Sequence, residues 1–229
     1  MNIVTVTDKS IMDEIYDYQS MLNEGDILIA GFGTTDDFNY ISEFAGKTEN
    51  LKKFVKFSKD KRIIFIAATV SRLLGKYYNT AIVIHKGNIL GVSDQTHKTR
   101  SELTLGNNLK LYETDEGNIG ILIGEDIFFP ECAMALALGG ADRIIYLSAS
   151  EYGKDADIML KASAIFCGMS IVAVFADFTI EYTNRGARNI IESEDLLIFE
   201  STVKKNDLYI KNRRQIVYEN IVVTRQVGE

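Results

Sequence analysis

The 229-residue chain has two cysteines, two histidines, one proline and no tryptophan, so it is short of the residue types from which many functional sites are built. Cys132 and Cys167 cannot form a disulfide framework, and both fall in apolar helical patterns where a free thiol behaves as a small core residue. A reducing, cytoplasmic setting is expected. His85 and His97 show no ligand spacing, so no metal site is predicted, and His85, just before Lys86-Gly87, reads as a surface residue. No apolar run approaches about 18 residues, and the N-terminus, Met-Asn-Ile-Val-Thr-Val-Thr-Asp, lacks a basic leader; neither a membrane span nor export is expected. The net charge is −7 with basic residues dispersed, which argues against a nucleic-acid partner. The chain has no P-loop and no Gly-x-Ser-x-Gly elbow. Gly31-Phe-Gly33-Thr-Thr-Asp36 lacks the third glycine of a dinucleotide fingerprint, and a carboxylate at Asp36 would repel pyrophosphate; it reads as a tight turn with Asp36 capping a helix. No cofactor is expected.

With 46% hydrophobic residues, the length suits one large domain, taken as 1–203, followed by a charged, weakly patterned stretch, 204–229, expected to be an extended arm. The first seventy residues alternate strand and helix. Strands are predicted at 3–6, 26–30 and 62–70, with a helix over 11–22 capped by Ser10 and another over 38–57. The pattern then changes. Runs 78–84 and 88–92 flank the turn pair Lys86-Gly87, and 109–114 and 119–124 flank Asp115-Glu116-Gly117-Asn118, giving two hairpins. A helix at 131–138, a strand at 143–147, a helix at 155–169, a strand at 171–175 and a last strand or hairpin at 190–203 complete the series. Buried strands mixed with hairpins point to an α/β fold with two sheets face to face and helices outside. The competitor, one doubly wound sheet, is weakened by hairpins that need antiparallel neighbours.

The segment 119–131, Ile-Gly-Ile-Leu-Ile-Gly-Glu-Asp-Ile-Phe-Phe-Pro-Glu, runs a buried strand into two carboxylates and a helix start. It resembles the nucleophile strand of the nitrilase, or carbon–nitrogen hydrolase, superfamily, written Ile-Cys-Tyr-Asp-x-x-Phe-Pro-Glu. Further motifs follow in register: Asn79-Thr-Ala-Ile-Val-Ile, Gly87-Asn-Ile-Leu-Gly, Ser93-Asp-Gln-Thr-His97, Leu105-Gly106 with Asp115 to Gly120, and Gly140-Ala141-Asp142. The resemblance implies the family's four-layer α-β-β-α sandwich. It also implies a homodimer through the helices at 131–138 and 155–169, where Ala133, Ala135, Ala137, Ala156, Ala162 and Ala164 would allow close approach.

Enzymes of this superfamily are expected to use a Glu base, an oxyanion-stabilising Lys and a Cys nucleophile. Carried over position by position, these roles fall on Phe32, Gln95 and Gly124. Glycine cannot attack a carbonyl, glutamine supplies no charge and phenylalanine takes no proton, so no catalytic residue is predicted by the family's mechanism. Cys132, expected in the first turn of a helix whose N-terminus would favour its thiolate, is the reactive-thiol candidate, although a packed core cysteine is the blander reading. Lys98 lies an odd offset past Gln95 and should face away. Glu125, Asp126, His97 and Ser148 are the pocket candidates; the resemblance implies that Asp126 holds nearby backbone N–H groups. Three readings follow: an inactive nitrilase-fold protein retained to bind a small molecule or to assemble; a hydrolase of carbon–nitrogen bonds with rearranged groups; and a purely structural subunit.

Overall fold

Period-two patterns in β-branched runs build two sheets in the computed structural model, which describes residues 1–98, 102–192, 194–201 and 208–213. In chain order the strands are β1 (Asn2–Val6), β2 (Ile27–Ala30), β3 (Phe38–Asn39), β4 (Ile64–Leu73), β5 (Lys76–His85), β6 (Asn88–Asp94), β7 (Leu111–Thr114), β8 (Gly117–Ile123), β9 (Arg143–Leu147), β10 (Ser170–Val174), β11 (Thr179–Tyr182), β12 (Arg188–Glu192) and β13 (Leu196–Glu200). The helices are α1 (Lys9–Asp13), α2 (Tyr40–Phe44), α3 (Asn50–Lys61), α4 (Pro130–Leu138), α5 (Lys154–Cys167) and α6 (Leu208–Lys211).

One sheet runs β13-β1-β2-β4-β5-β6 with β3 beside β4, and the other β12-β11-β10-β9-β8-β7. Each has a parallel centre and antiparallel flanks: β1, β2 and β4 are parallel, as are β8, β9 and β10. Alternation along β4 shows how the layers form. Ile64, Ile66 and Ala68 enter the core between the sheets with Ile121, Ile123, Ile145, Leu147 and Val172, while Phe65 and Ala67 face the outer cluster beneath α1 and α3. On the far side Ile144, Tyr146, Ile171 and Ala173 pack under α4 and α5 against Leu136, Leu160 and Ala164. Each large aliphatic side chain so buried contributes about 1.5–3 kcal/mol. The result is the expected α-β-β-α sandwich. Among the described residues no helix is long and apolar enough to cross a membrane.

Several local expectations are corrected. The helix over 11–22 is α1 followed by turns, and its cap is Asp8, whose carboxylate accepts from the backbone N–H of Ser10 and Ile11. The stretch 38–57 breaks into β3, α2 and α3. Asp36 caps no helix; it pairs with Lys9, and Asn39 caps α2. The segment 190–203 is no hairpin, since β12 closes the second sheet on β11 whereas β13 crosses to pair with β1 in the first. Beyond Ser201 most of the expected arm lies outside the described residues, and the part described, α6, is one helical turn with Ile210 against the α5 side of the sandwich. His85 is not a surface residue: its side chain is only 13% exposed. Of the six alanines on α4 and α5, Ala133, Ala137, Ala156 and Ala164 are buried inward, Ala162 is half-buried and Ala135 is exposed.

Candidate functional site

At the end of β8 the chain turns sharply. Gly124 has φ +56°, a left-handed conformation that glycine adopts freely, and the backbone continues through a single 3-10 segment, Gly124–Phe128, into α4, whose first residue is Pro130. Such a strand-to-helix turn projects whatever side chain it carries into the space beyond the sheet, the same device as a nucleophile elbow. Here it carries none.

The space is held by a neighbour. Gln95, buried just past β6, places Oε1 2.7 Å and Cδ 3.0 Å from where a Cβ on Gly124 would stand. Its amide is fixed at both ends: Asn79 Nδ2 donates to Oε1 at 2.9 Å, and Nε2 donates to the His97 carbonyl at 2.6 Å. Phe32, just past β2, is 6% exposed and belongs to the core between the sheets; it does not line the adjoining cavity.

That cavity, of ≈ 880 Å³, opens between the Gly124 turn and the start of α5. Gln95, Gly124, Glu125 and Ser148 line it together with Asn79, Phe128, Phe129, Tyr146 and Phe175, and Glu151, Lys154 and Asp155 add charge around it. Burial pushes the Tyr146 phenol up to about 12, so the ring presents a neutral hydroxyl. Ser148 Oγ accepts from the Ser150 N–H at 3.1 Å. Aromatic walls, one ammonium, three carboxylates and two carboxamides suit a small polar ligand that is neutral or cationic.

Asp126 lies beside the cavity and does not line it. It is 1% exposed; Oδ1 accepts from the N–H groups of Thr96 (2.9 Å) and His97 (2.8 Å) and from Thr96 Oγ1 (2.8 Å), and Oδ2 from the Ile123 N–H (3.2 Å). The carboxylate thus ties the segment after β6 to the end of β8, holding Gln95 and Gly124 in register. His97 stacks on Phe129 at 4.2 Å, with Nδ1 3.4 Å from Asp126 Oδ1 and 3.3 Å from Cys132 Sγ. Lys98 Nζ donates to the Leu103 carbonyl.

Cys132 does sit in the first turn of α4, but the expected thiolate is not favoured there. Burial, reinforced by the carboxylate of Asp126, pushes the thiol up to about 11. The residue is 1% exposed, lies outside the cavity lining, and shares one nitrogen of His97 with Asp126; an acid–base relay needs the two ring nitrogens to be used separately. As metal ligands, His97, Asp126 and Cys132 are close enough, but Asp126 Oδ1 already accepts three other hydrogen bonds.

Sequence reasoning missed Asn79 and the aromatic wall. Counting back from Lys86-Gly87 would have placed Asn79 near Gln95, except that the β5–β6 register shifts at Val83/Ile84.

Comparison with known proteins agrees with this architecture. A family model described as carbon-nitrogen hydrolase matches residues 26–176. A Schizosaccharomyces pombe protein named probable nitrilase is 27% identical over 157 residues, 65% of this chain; the match spans 58% of that relative's length. The solved carbon-nitrogen hydrolase of Helicobacter pylori superposes with a TM-score of 0.77 at 16% identity, covering 96% of this chain and 98% of that one. A cysteine-to-alanine mutant of the Nesterenkonia amidase, solved in complex with butyramide, gives a TM-score of 0.74 at 15% identity, covering 97% of each chain. At these identities the two solved structures speak to the fold alone.

Proposed function

The chain belongs to the carbon–nitrogen hydrolase family, and from that premise we propose that it is a member without the thioester chemistry, kept as a non-covalent binder of a small carboxamide-bearing molecule. The observation that carries this reading is the Gly124–Gln95 contact. The turn where the resemblance places a nucleophile has no side chain, and the neutral amide where it places a lysine fills the vacated space. A thiol attack on an amide carbon needs sulfur, a proton acceptor and a fixed positive charge at one point; Gly124, Phe32 and Gln95 supply none of the three.

The cavity favours a carboxamide because Gln95 and Asn79, each held by one bond per amide atom used, keep a second amide hydrogen and a second lone pair, and Ser148 keeps its hydroxyl proton, within aromatic walls. The Nesterenkonia amidase mutant holds butyramide without its cysteine, which supports binding without covalent capture in this fold. The test is calorimetry with butyramide and larger primary amides, together with intact-mass spectrometry after incubation with amides and nitriles. Saturable binding with no mass increase is expected. An acyl adduct on Cys132, or ammonia release, would establish the rearranged-hydrolase reading instead, whose support is the 3.3 Å approach of Cys132 to His97.

We also infer a homodimer through the outer helices. The large apolar side chains left outward there are Leu138, Ile158 and Ile165, at 47%, 61% and 37% exposure, beside the exposed Ala135. Sedimentation at micromolar concentration should give twice the chain mass; Ile158→Glu should shift it towards monomer.

A further inference from the structure

The opposite end of β8 carries chemistry that the Gly124 pole does not explain. Two hairpin turns meet there, one from each sheet: β5–β6 brings His85 and Lys86, and β7–β8 brings Asp115 and Glu116. His85 Nε2 lies 3.6 Å from Glu116 Oε2 and 3.8 Å from Asp115 Oδ2, and one donor atom from each of the three residues falls within 4.8 Å of the others. His85 Nε2 and Glu116 Oε2 are buried from solvent and have no hydrogen-bond partner. At 3.6 Å a protonated imidazole would make only a long ion pair with the carboxylate and no hydrogen bond, whereas a cation between the two atoms would accept both lone pairs.

We propose that His85, Asp115 and Glu116 bind a divalent transition-metal ion of the zinc type, which staples the two sheets together at the pole opposite the cavity. The spacing suits it. With ligand bonds of about 2.0–2.2 Å, donors around a tetrahedral ion stand roughly 3.3–3.6 Å apart, so His85 already stands near that spacing from both carboxylates, and the two carboxylates, within 4.8 Å of each other, turn inward about the ion. One imidazole and two carboxylates are a donor set that zinc-type ions accept, with water in the fourth position. Lys86 Nζ, 2.6 Å from Asp115 Oδ2, shares that exposed carboxylate, so Asp115 is the weakest of the three ligands. The site is independent of the binding function proposed for the cavity.

The test uses the full chain stripped with a chelator and titrated with Zn²⁺ by calorimetry, with Co²⁺ spectra in parallel. One equivalent should bind, the melting temperature should rise by about 5 °C at a hundredfold excess over the dissociation constant, and His85→Gln and Glu116→Gln should each weaken binding at least tenfold. Asp115→Asn, at an exposed position, should weaken it less and serves if either buried variant does not fold. Cys132→Ser should bind like the parent, and the Co²⁺ protein should lack a thiolate charge-transfer band. No binding by the parent chain overturns the proposal. So does affinity that survives both His85→Gln and Glu116→Gln, or a thiolate band, which would put the ion at His97 and Cys132.

Discussion

At the Gly124 end of β8, Gln95 has partners on both amide atoms and Asp126 accepts four hydrogen bonds; at the Glu116 end, His85 Nε2 and Glu116 Oε2 face each other at 3.6 Å with no hydrogen bond on either atom. One strand thus joins a pole whose buried polar groups are matched to one another and a pole whose polar groups await something else. Because polar atoms are buried at moderate cost only when paired, the first pole reads as a finished scaffold around a cavity and the second as a half-built coordination shell.

The sharpest way to break this contrast is to remove the carboxylate at the matched pole. Asp126→Ala leaves the buried Ile123 N–H and the half-buried Thr96 and His97 N–H groups without an acceptor and should lower stability by about 3 kcal/mol in urea denaturation. Asp126→Asn keeps one acceptor but turns an amide N–H₂ towards a donor, and should cost about half as much. A loss under 1 kcal/mol for the alanine variant would mean that Asp126 does not organise this pole.

The next effect is set by pH. The Cys132 and Cys167 thiols are raised from an ordinary 9.0 to about 11 and about 12, chiefly by burial. Since the folded chain holds these protons more tightly than the unfolded one, the contribution is intact below pH 9 and is lost as pH climbs from 9 towards 11 and 12. Each thiol then removes up to about 1.4 kcal/mol per pH unit. Urea midpoints should fall between pH 9 and pH 10.5, and a Cys132→Ala, Cys167→Ala double variant should flatten that fall. Cys132 should also resist alkylation at neutral pH until the protein unfolds; rapid labelling of the native chain would contradict its burial.

Much of the scaffold was legible because its signals are local. β9 matches its predicted run, Arg143 to Leu147, since five buried residues between turn signals leave little choice, and Pro130 at the first position of α4 marks that helix directly. The errors lie where distant contacts decide. β11, Thr-Ile-Glu-Tyr, is buried throughout because Glu181 accepts from Ser201 and Asn189, which no periodicity shows. β13 pairs Asn2 with Glu200, a contact spanning the described sandwich, and 38–57 keeps helical spacing across a real break. At the candidate site, residue types at the ends of β2, β6 and β8 were readable, but the approach of His97 to Cys132 and of His85 to Glu116 comes from folding strands and turns together. The two histidines showed no ligand spacing in the chain because their neighbours are spatial.

A smaller effect tests whether glycine is required at the turn. Gly124→Ala imposes a left-handed conformation on a residue with a Cβ and pushes that Cβ against Gln95, so a loss of about 1–2 kcal/mol is expected. In the Gln95→Ala background the same substitution should lose only the backbone part, a positive coupling that a double-mutant cycle reads directly. Additivity would mean that Gln95 moves aside freely and does not occupy the space beyond the turn.

The smallest expected change is at the other pole, and it bears most directly on the contrast. In the presence of chelator, His85→Leu removes an orphaned nitrogen and keeps a side chain of similar bulk beside Ile64, its partner across β4 and β5. Deleting an unsatisfied polar atom is close to neutral in stability, so the urea midpoint should move by less than about 1 kcal/mol. With Zn²⁺ added, the parent chain should gain stability and the leucine variant should not, so the gap between them opens only with the ion. If His85→Leu instead costs several kcal/mol without metal, the imidazole already has a partner as strong as those at the Gly124 end, and the two poles of β8 are alike.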